Sequence, residues 1–158
     1  DESYAVLAEK SLTCSIHTDD NLLVDADPDK LARGFDNLLR NAIAYSYPGT
    51  NIDIRAFGEQ KDIIITFSNQ GDQIPPQKLN FIFEKFYRVD NARQSRTGGA
   101  GLGLSIAKEI VELHGGAIAA SSSPVCTRFT VKLPRHQEEQ QPAAAKKWGR
   151  IAKNGGKE

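Results

Sequence analysis

A glycine-rich segment that leads directly into a helical pattern is the feature that most constrains this chain. It reads Thr97-Gly98-Gly99-Ala100-Gly101-Leu102-Gly103-Leu104 and continues into an apolar periodicity from Ser105 to His114. Glycine allows positive φ and a close approach of the backbone to a ligand. A helix N-terminus offers unpaired N–H groups and the positive end of its dipole to an anion. The segment therefore predicts a phosphate-binding turn, although such glycines also serve as ordinary turns and hinges.

Composition limits the classes of function. The chain has 158 residues, with 20 basic and 20 acidic side chains, so a nucleic-acid partner recruited by bulk charge is not expected. No apolar run is long enough for a membrane span, and no signal peptide opens the chain. Because it begins at Asp1 without Met, we expect a piece of a larger protein. Cys14 and Cys126 lie in strand-like apolar contexts without metal-ligand spacing, which predicts two buried, reduced thiols.

The order of patterns predicts one α+β domain over residues 1–134. Helices are expected at 1–10, at Asp29 to Ser46 behind an Asp27 N-cap, at 79–86 and from Leu102 to the glycines after His114. Strands are expected at 12–17, 22–25, 52–57, 63–67, 117–121 and 126–133. Residues 135–158 are predicted to be a disordered or linker tail. Within it, 143–153 has the pattern of a basic helical segment carrying Trp148, which is as typical of a linker as of a binding motif.

The helix from Asp29 to Ser46 carries two unusual asparagines. Its apolar stripe predicts a face packed on a sheet and is formed by Leu31, Phe35, Leu38 and Ala42. Asn37, Asn41 and Tyr45 form a second line at i, i+4 and i+8 beside that stripe. Asparagine is a poor residue in the middle of a helix. Either amide alone could be a solvent-facing side chain, but two amide oxygens beside the core also suit Mg²⁺.

Four motifs in order resemble the N, G1, F and G2 boxes of sensor histidine kinases. They are Asn37-Leu38-Leu39-Arg40-Asn41-Ala42, Asn69-Gln70-Gly71, Ile82-Phe83-Glu84-Lys85-Phe86-Tyr87-Arg88 and Gly99-Ala100-Gly101-Leu102-Gly103-Leu104. The resemblance covers roughly residues 1 to 134, and within the family it is greatest to the VanS-type sensors of vancomycin resistance. It implies the GHKL ATPase fold: a two-layer α+β sandwich whose mixed, mainly antiparallel sheet of about five strands is covered on one face by about three helices.

The resemblance also implies a role for each matching residue in binding ATP and Mg²⁺. Asn41 would hold Mg²⁺, and Asn37 would lie near the phosphates as a catalytic residue. Arg88 would pair with phosphate, also as a catalytic residue, at the start of an ATP lid that carries Arg93 and Arg96. The implied nucleotide-binding residues are Asn41, Tyr45, Asn69, Gly71, Ile74, Tyr87, Arg88, Gly99, Gly101, Leu102, Gly103 and Leu104.

Three positions depart from the family pattern. Asn69 stands where relatives usually carry Asp, Gln73 where they carry a second glycine, and Ala44 where many carry Lys. A neutral amide accepts a hydrogen bond about half as strong as a charge-assisted one. We therefore expect weak ATP binding by the isolated domain and tighter binding in Asn69→Asp.

The phosphoacceptor histidine of the family is not expected in this chain. His17, His114 and His136 each have a structural interpretation, and none lies in the acceptor context. The expected partners are therefore a dimerisation and phosphotransfer domain of the same kinase and a downstream response regulator. We expect a monomeric isolated domain on the cytoplasmic side of a membrane-anchored sensor.

Other classes fit less well. The third glycine of a dinucleotide-binding G-x-G-x-x-G is displaced, and Leu104 stands where a Walker A loop has Lys. Chaperone and topoisomerase ATPases of the same fold lack the Phe83 to Phe86 box. The remaining alternative is a degenerate nucleotide-binding or interaction module without kinase activity.

Overall fold

The domain consists of one five-stranded sheet and a helical layer. A computed structural model describes residues 2–88 and 101–138. The elements, in chain order, are α1 (Glu2–Glu9), β1 (Thr13–Thr18), α2 (Pro28–Tyr45), β2 (Asn51–Glu59), β3 (Asp62–Asn69), α3 (Pro76–Leu79), α4 (Gly103–Leu113), β4 (Ala117–Ser122) and β5 (Thr127–Pro134). Gly99, Arg93, Arg96 and residues 139–158 lie outside the described residues, so the predictions made for them stay predictions.

The sheet is mixed and mainly antiparallel, as predicted. Its strand order is β1-β2-β3-β5-β4, and only the β1–β2 pair is parallel. Buried and exposed residues alternate along β5, with Phe129 and Val131 inside and Arg128 and Lys132 outside. Such alternation is expected for a sheet with one face packed and one face in solvent.

Helix α2 is the centre of the helical layer. The Asp27 carboxylate accepts hydrogen bonds from the backbone N–H groups of Asp29 and Lys30, and Pro28 occupies the first turn, so the predicted cap is confirmed. Leu38 is fully buried, and its stripe packs on β3 and α4. Truncating such a leucine to alanine typically costs about 2–5 kcal/mol.

Three local predictions are wrong. The segment 22–25 forms no strand: Val24 packs on the core, while the Leu23 carbonyl accepts from the His136 N–H instead of a neighbouring strand. The predicted helix at 79–86 lies earlier, as α3, and turns follow it. Cys14 is exposed and Cys126 only partly buried, although both are free thiols. Although Cys14 is exposed as a residue, its thiol is partly covered, and this desolvation, followed by the nearby Asp53 charge, raises the thiol pKa.

Candidate nucleotide site

The side-chain amides of Asn37 and Asn41 form a line along α2, called here the amide line, that is available to a ligand. Asn37 and Asn41 are both half-buried, one turn apart beside the packed stripe. Among the residues that the structure describes, neither amide has a hydrogen-bond partner. In the described part of the chain, no fully buried polar side-chain atom lacks a partner, so the polar atoms of these two amides are open to solvent and can bind atoms from outside the domain.

The loop after β3 brings Asn69 against the end of α2. Asn69 is 3% exposed and ends β3, while Tyr45 ends α2. A Cβ on Gly71 would lie 1.9 Å from the Tyr45 carbonyl oxygen, so only glycine fits there. The Tyr47 N–H donates to the Gln70 carbonyl at 2.8 Å and fixes the same junction. The structure therefore brings Asn69, Gly71 and Tyr45 together at one corner of the domain.

Two hydroxyl groups extend this end of the site and were not found from the sequence. Thr127 is 6% exposed and lies opposite Asn69 in the β3–β5 register. Its Oγ1 is 2.6 Å from the Ser122 Oγ, and that oxygen accepts from the Ile74 N–H at 2.9 Å. The result is a polar end to the sheet, with Ile74 held beside it and packed against the core.

The two ends of the segment 89–100 meet at one point. The Phe86 N–H donates to the Gly101 carbonyl at 3.0 Å. Gly101 has φ +78, and a Cβ there would lie 2.9 Å from the Phe86 carbonyl carbon and 3.1 Å from the Tyr87 oxygen. The two ends of this segment are therefore joined by a backbone contact that requires glycine at position 101. Tyr87 and Arg88 are half-buried where the described chain stops.

The N-terminus of α4 faces the amide line. A Cβ on Gly103 would lie 4.0 Å from the Asn37 Cβ, so the start of α4 and α2 are close neighbours. The N-cap residue Leu102 makes no side-chain cap hydrogen bond, which leaves first-turn N–H groups without such a cap. Leu104 packs on the core and anchors the first turn. An anion beside Asn37 would meet these N–H groups and the helix dipole.

The described residues form no protein cage for a metal ion. They contain no group of three or more His, Cys, Asp or Glu that could hold a metal ion. Mg²⁺ often takes few protein ligands and completes its shell with phosphate oxygens and water. The half-buried Asn41 amide, with no described partner, fits that role.

Two of the three histidines, His114 and His136, are held by hydrogen bonds within the domain. His114 Nδ1 lies 2.7 Å from the Ile110 carbonyl, and its Nε2 accepts from the Asp27 N–H at 3.1 Å. His136 Nδ1 lies 2.7 Å from Asp25 Oδ1, and His17 lies 3.9 Å from Asp53. Among the described residues, no helix is both long and apolar enough to cross a membrane.

Comparisons with known proteins agree with this geometry. The family model described as histidine kinase-, DNA gyrase B-, and HSP90-like ATPase matches residues 26–137. The sensor protein VanS of Enterococcus faecium is 54% identical over 135 residues, which are 85% of this chain and 35% of that protein. The sensor protein VanSC of Enterococcus gallinarum is 42% identical over 134 residues, 85% of this chain and 37% of that protein.

A solved structure has the same fold. The mycobacterial sensor histidine kinase MprB aligns with a TM-score of 0.74 at 30% identity, over 87% of this chain and 94% of that one. This chain spans about a third of the length of the two curated relatives.

Proposed function

This chain belongs to the histidine kinase-, DNA gyrase B- and HSP90-like ATPase family, and we propose that it is the catalytic ATP-binding domain of a two-component sensor kinase. The observation that carries the proposal is the convergence of four features: the Asn37–Asn41 line, the buried Asn69, the Gly101 closure and the start of α4. Each matches a motif of the family, and in this proposal they contribute to one nucleotide site.

Adenine binds at the end of β3 in this proposal. The Asn69 side-chain oxygen accepts from the adenine amino group, with Ile74 beneath the ring and Tyr45 at its edge. Ser122 and Thr127 supply hydroxyl groups at the rim of this pocket. The Asn69 amide has no partner among the described residues and its polar atoms are open to solvent, so the base replaces water there with a hydrogen bond.

The phosphates lie between α2 and α4. Uncapped N–H groups of α4 and the guanidinium of Arg88 bind their oxygens, and Asn37 positions the terminal phosphate. When Mg²⁺ is bound by Asn41, it neutralises charge on the phosphate oxygens. The lid residues Tyr87, Gly99, Gly101, Leu102, Gly103 and Leu104 complete the binding set.

The reaction is transfer of the γ-phosphoryl group of ATP to a histidine of a dimerisation domain. The bond from the γ-phosphorus to the bridging oxygen breaks, a phosphorus–nitrogen bond forms, and ADP leaves. The contribution of this chain is positioning and charge stabilisation. A response regulator then takes the phosphoryl group, and the complete protein is an anchored membrane sensor whose ATP-binding domain lies in the cytoplasm as a monomeric unit.

Nucleotide binding with and without Mg²⁺ tests the site. Titration calorimetry on the parent chain should give Mg²⁺-dependent ATP binding, and Asn41→Asp should change that dependence. Asn80→Asp makes the same chemical change at the exposed C-cap of α3, away from the site, and should leave the Mg²⁺ dependence of ATP binding unaltered. A Mg²⁺ dependence equal in all three proteins would refute the ligand assignment.

Phosphotransfer separates the kinase from a degenerate module. The chain is mixed with a histidine-bearing dimerisation domain and ATP labelled in the γ-phosphate, and label on the histidine supports the kinase. ATP binding without any transfer supports the alternative, which the departures at Asn69 and Gln73 favour. Arg88→Ala should slow transfer more than it weakens ATP binding.

A further inference from the structure

A second concave site lies at the other end of β3 from Asn69. It has a volume of about 420 Å³, within the range of small-ligand sites. Its floor is apolar and is built from α2, β3 and β5. The floor residues are Leu31, Phe35, Ile63, Ile65 and Leu133.

The mouth of this cavity is acidic. Among the described residues that line it, Asp19 and Asp20 are the charged ones. Asp19 Oδ2 accepts from the Gly58 N–H at 3.2 Å, which holds that carboxylate at the rim, and Asp20 is exposed. The nearby Arg135 guanidinium donates to the Asn21 carbonyl at 3.3 Å. An occupant with an apolar side chain flanked by cations fits this combination.

The residues just after β5 lie beside this mouth. After β5, the Arg135 N–H donates to the Lys61 carbonyl at 2.8 Å, and the His136 N–H donates to the Leu23 carbonyl at 2.7 Å. His136 Nδ1 also lies 2.7 Å from Asp25 Oδ1. Leu22, the neighbour of Leu23, lines the cavity. Whatever follows residue 138 therefore starts beside the cavity.

The sequence that follows has the required chemistry. Trp148 and Ile151 are the large apolar residues of the segment 143–153, among Lys146, Lys147, Arg150 and Lys153. The family model ends at residue 137, so this segment is additional to the matched domain. The ten residues 139–148 span up to about 35 Å when extended, which is ample for a site beside residue 138.

We propose that the C-terminal segment 143–153 docks on its own domain, with Trp148 in the cavity and its basic neighbours beside Asp19 and Asp20. An indole provides a large apolar surface with a polar edge, which suits an apolar floor beneath a polar rim. Because the two partners are in one chain, the effective concentration is in the millimolar range, and modest affinity suffices. The docked segment covers the loop that runs from Asp19 to Asp25.

Trp148 reports on this contact directly, since it is the only tryptophan in the chain. The proposal predicts blue-shifted emission and protection from acrylamide in the full chain, independent of protein concentration. Asp20→Lys should expose the indole without unfolding the domain, because Asp20 is a surface residue. Glu84→Lys makes the same charge change on the segment leading to the nucleotide site and should leave the emission unchanged.

A second measurement keeps the test independent of folding effects. A chain ending at residue 138 is titrated with a peptide of residues 139–158. Binding should weaken about tenfold in Asp20→Lys and stay unchanged in Glu84→Lys. Emission typical of a solvated indole, or burial insensitive to Asp20→Lys, would overturn the proposal. Burial that rises with protein concentration would also overturn it, in favour of docking on a second copy.

Discussion

The Tyr45 carbonyl oxygen and Gly71 are so close that a single methyl group cannot be placed between them: a Cβ on Gly71 would stand 1.9 Å from that oxygen. The end of α2 and the loop after β3 are therefore one rigid corner. Because Asn69 and Tyr45 flank this corner, its backbone geometry sets the width of the proposed adenine pocket.

Gly71→Ala tests that corner. The added methyl must push the loop away from α2, so we expect a loss of about 1–3 kcal/mol in the free energy of unfolding and loss of ATP binding. Gly34→Ala is the matched control, because a Cβ there would meet only Ile110 at 3.5 Å or more. Alanine also favours a helix interior by about 1 kcal/mol. Equal behaviour of the two variants in thermal unfolding would contradict the account.

Gly101→Ala tests the closure of the lid segment. Gly101 and Gly49 have nearly the same φ, +78 and +74, but nothing lies within 4 Å of a Cβ on Gly49. Both variants carry the cost of a left-handed alanine, about 1–2 kcal/mol. Only Gly101→Ala also collides with the Phe86 backbone, so it should unfold at lower temperature and bind ATP less tightly. ATP affinity that falls equally in Gly49→Ala would argue against a local closure.

The sequence predicted correctly the features that depend on residues close together in the chain. The Asp27 cap, the stripe through Leu38 and the asparagine pair all follow from spacing along one helix, and the structure has each of them. Asn69 was singled out through its motif, but the predicted strand ended at residue 67, whereas β3 runs to Asn69.

The errors and omissions have a common cause in distant parts of the chain. Thr127 enters the site only because β5 pairs with β3 in a register that no local pattern specifies. Burial alternates around Val24 as in a strand, and Val24 packs on the core. The Leu23 carbonyl, however, accepts a hydrogen bond from the His136 N–H and not from a neighbouring strand. The aromatic spacing after Pro76 was interpreted as a helix, yet Phe86 adopts φ 66, outside helical geometry.

The pKa of Tyr47, close to the Tyr45–Gly71 corner, can be followed by titration. Its phenol donates to Asp72 Oδ1 at 2.5 Å, and this hydrogen bond is the main reason that its pKa lies above the ordinary value of 10.0. The neutral phenol is the bonded form, so the contact stabilises the fold below pH 10 and is lost as the pH rises through the raised pKa. Asp72→Ala should return the tyrosine pKa toward 10, as followed by ring-carbon chemical shifts. Asp36→Ala, which removes a carboxylate paired with Arg40 instead, should not change it.

Asn69→Asp should tighten ATP binding while destabilising the empty domain. The carboxylate turns a neutral hydrogen bond to the adenine amino group into a charge-assisted one, and we expect about a tenfold gain in affinity. Without nucleotide, a charge at a position only 3% exposed is poorly solvated, so thermal unfolding should occur at lower temperature. Gln70→Glu adds the same charge at the next, exposed residue and should change neither property. Calorimetric titration and thermal unfolding of the three proteins measure both effects. Unchanged or weaker ATP binding in Asn69→Asp would place the adenine amino group away from residue 69.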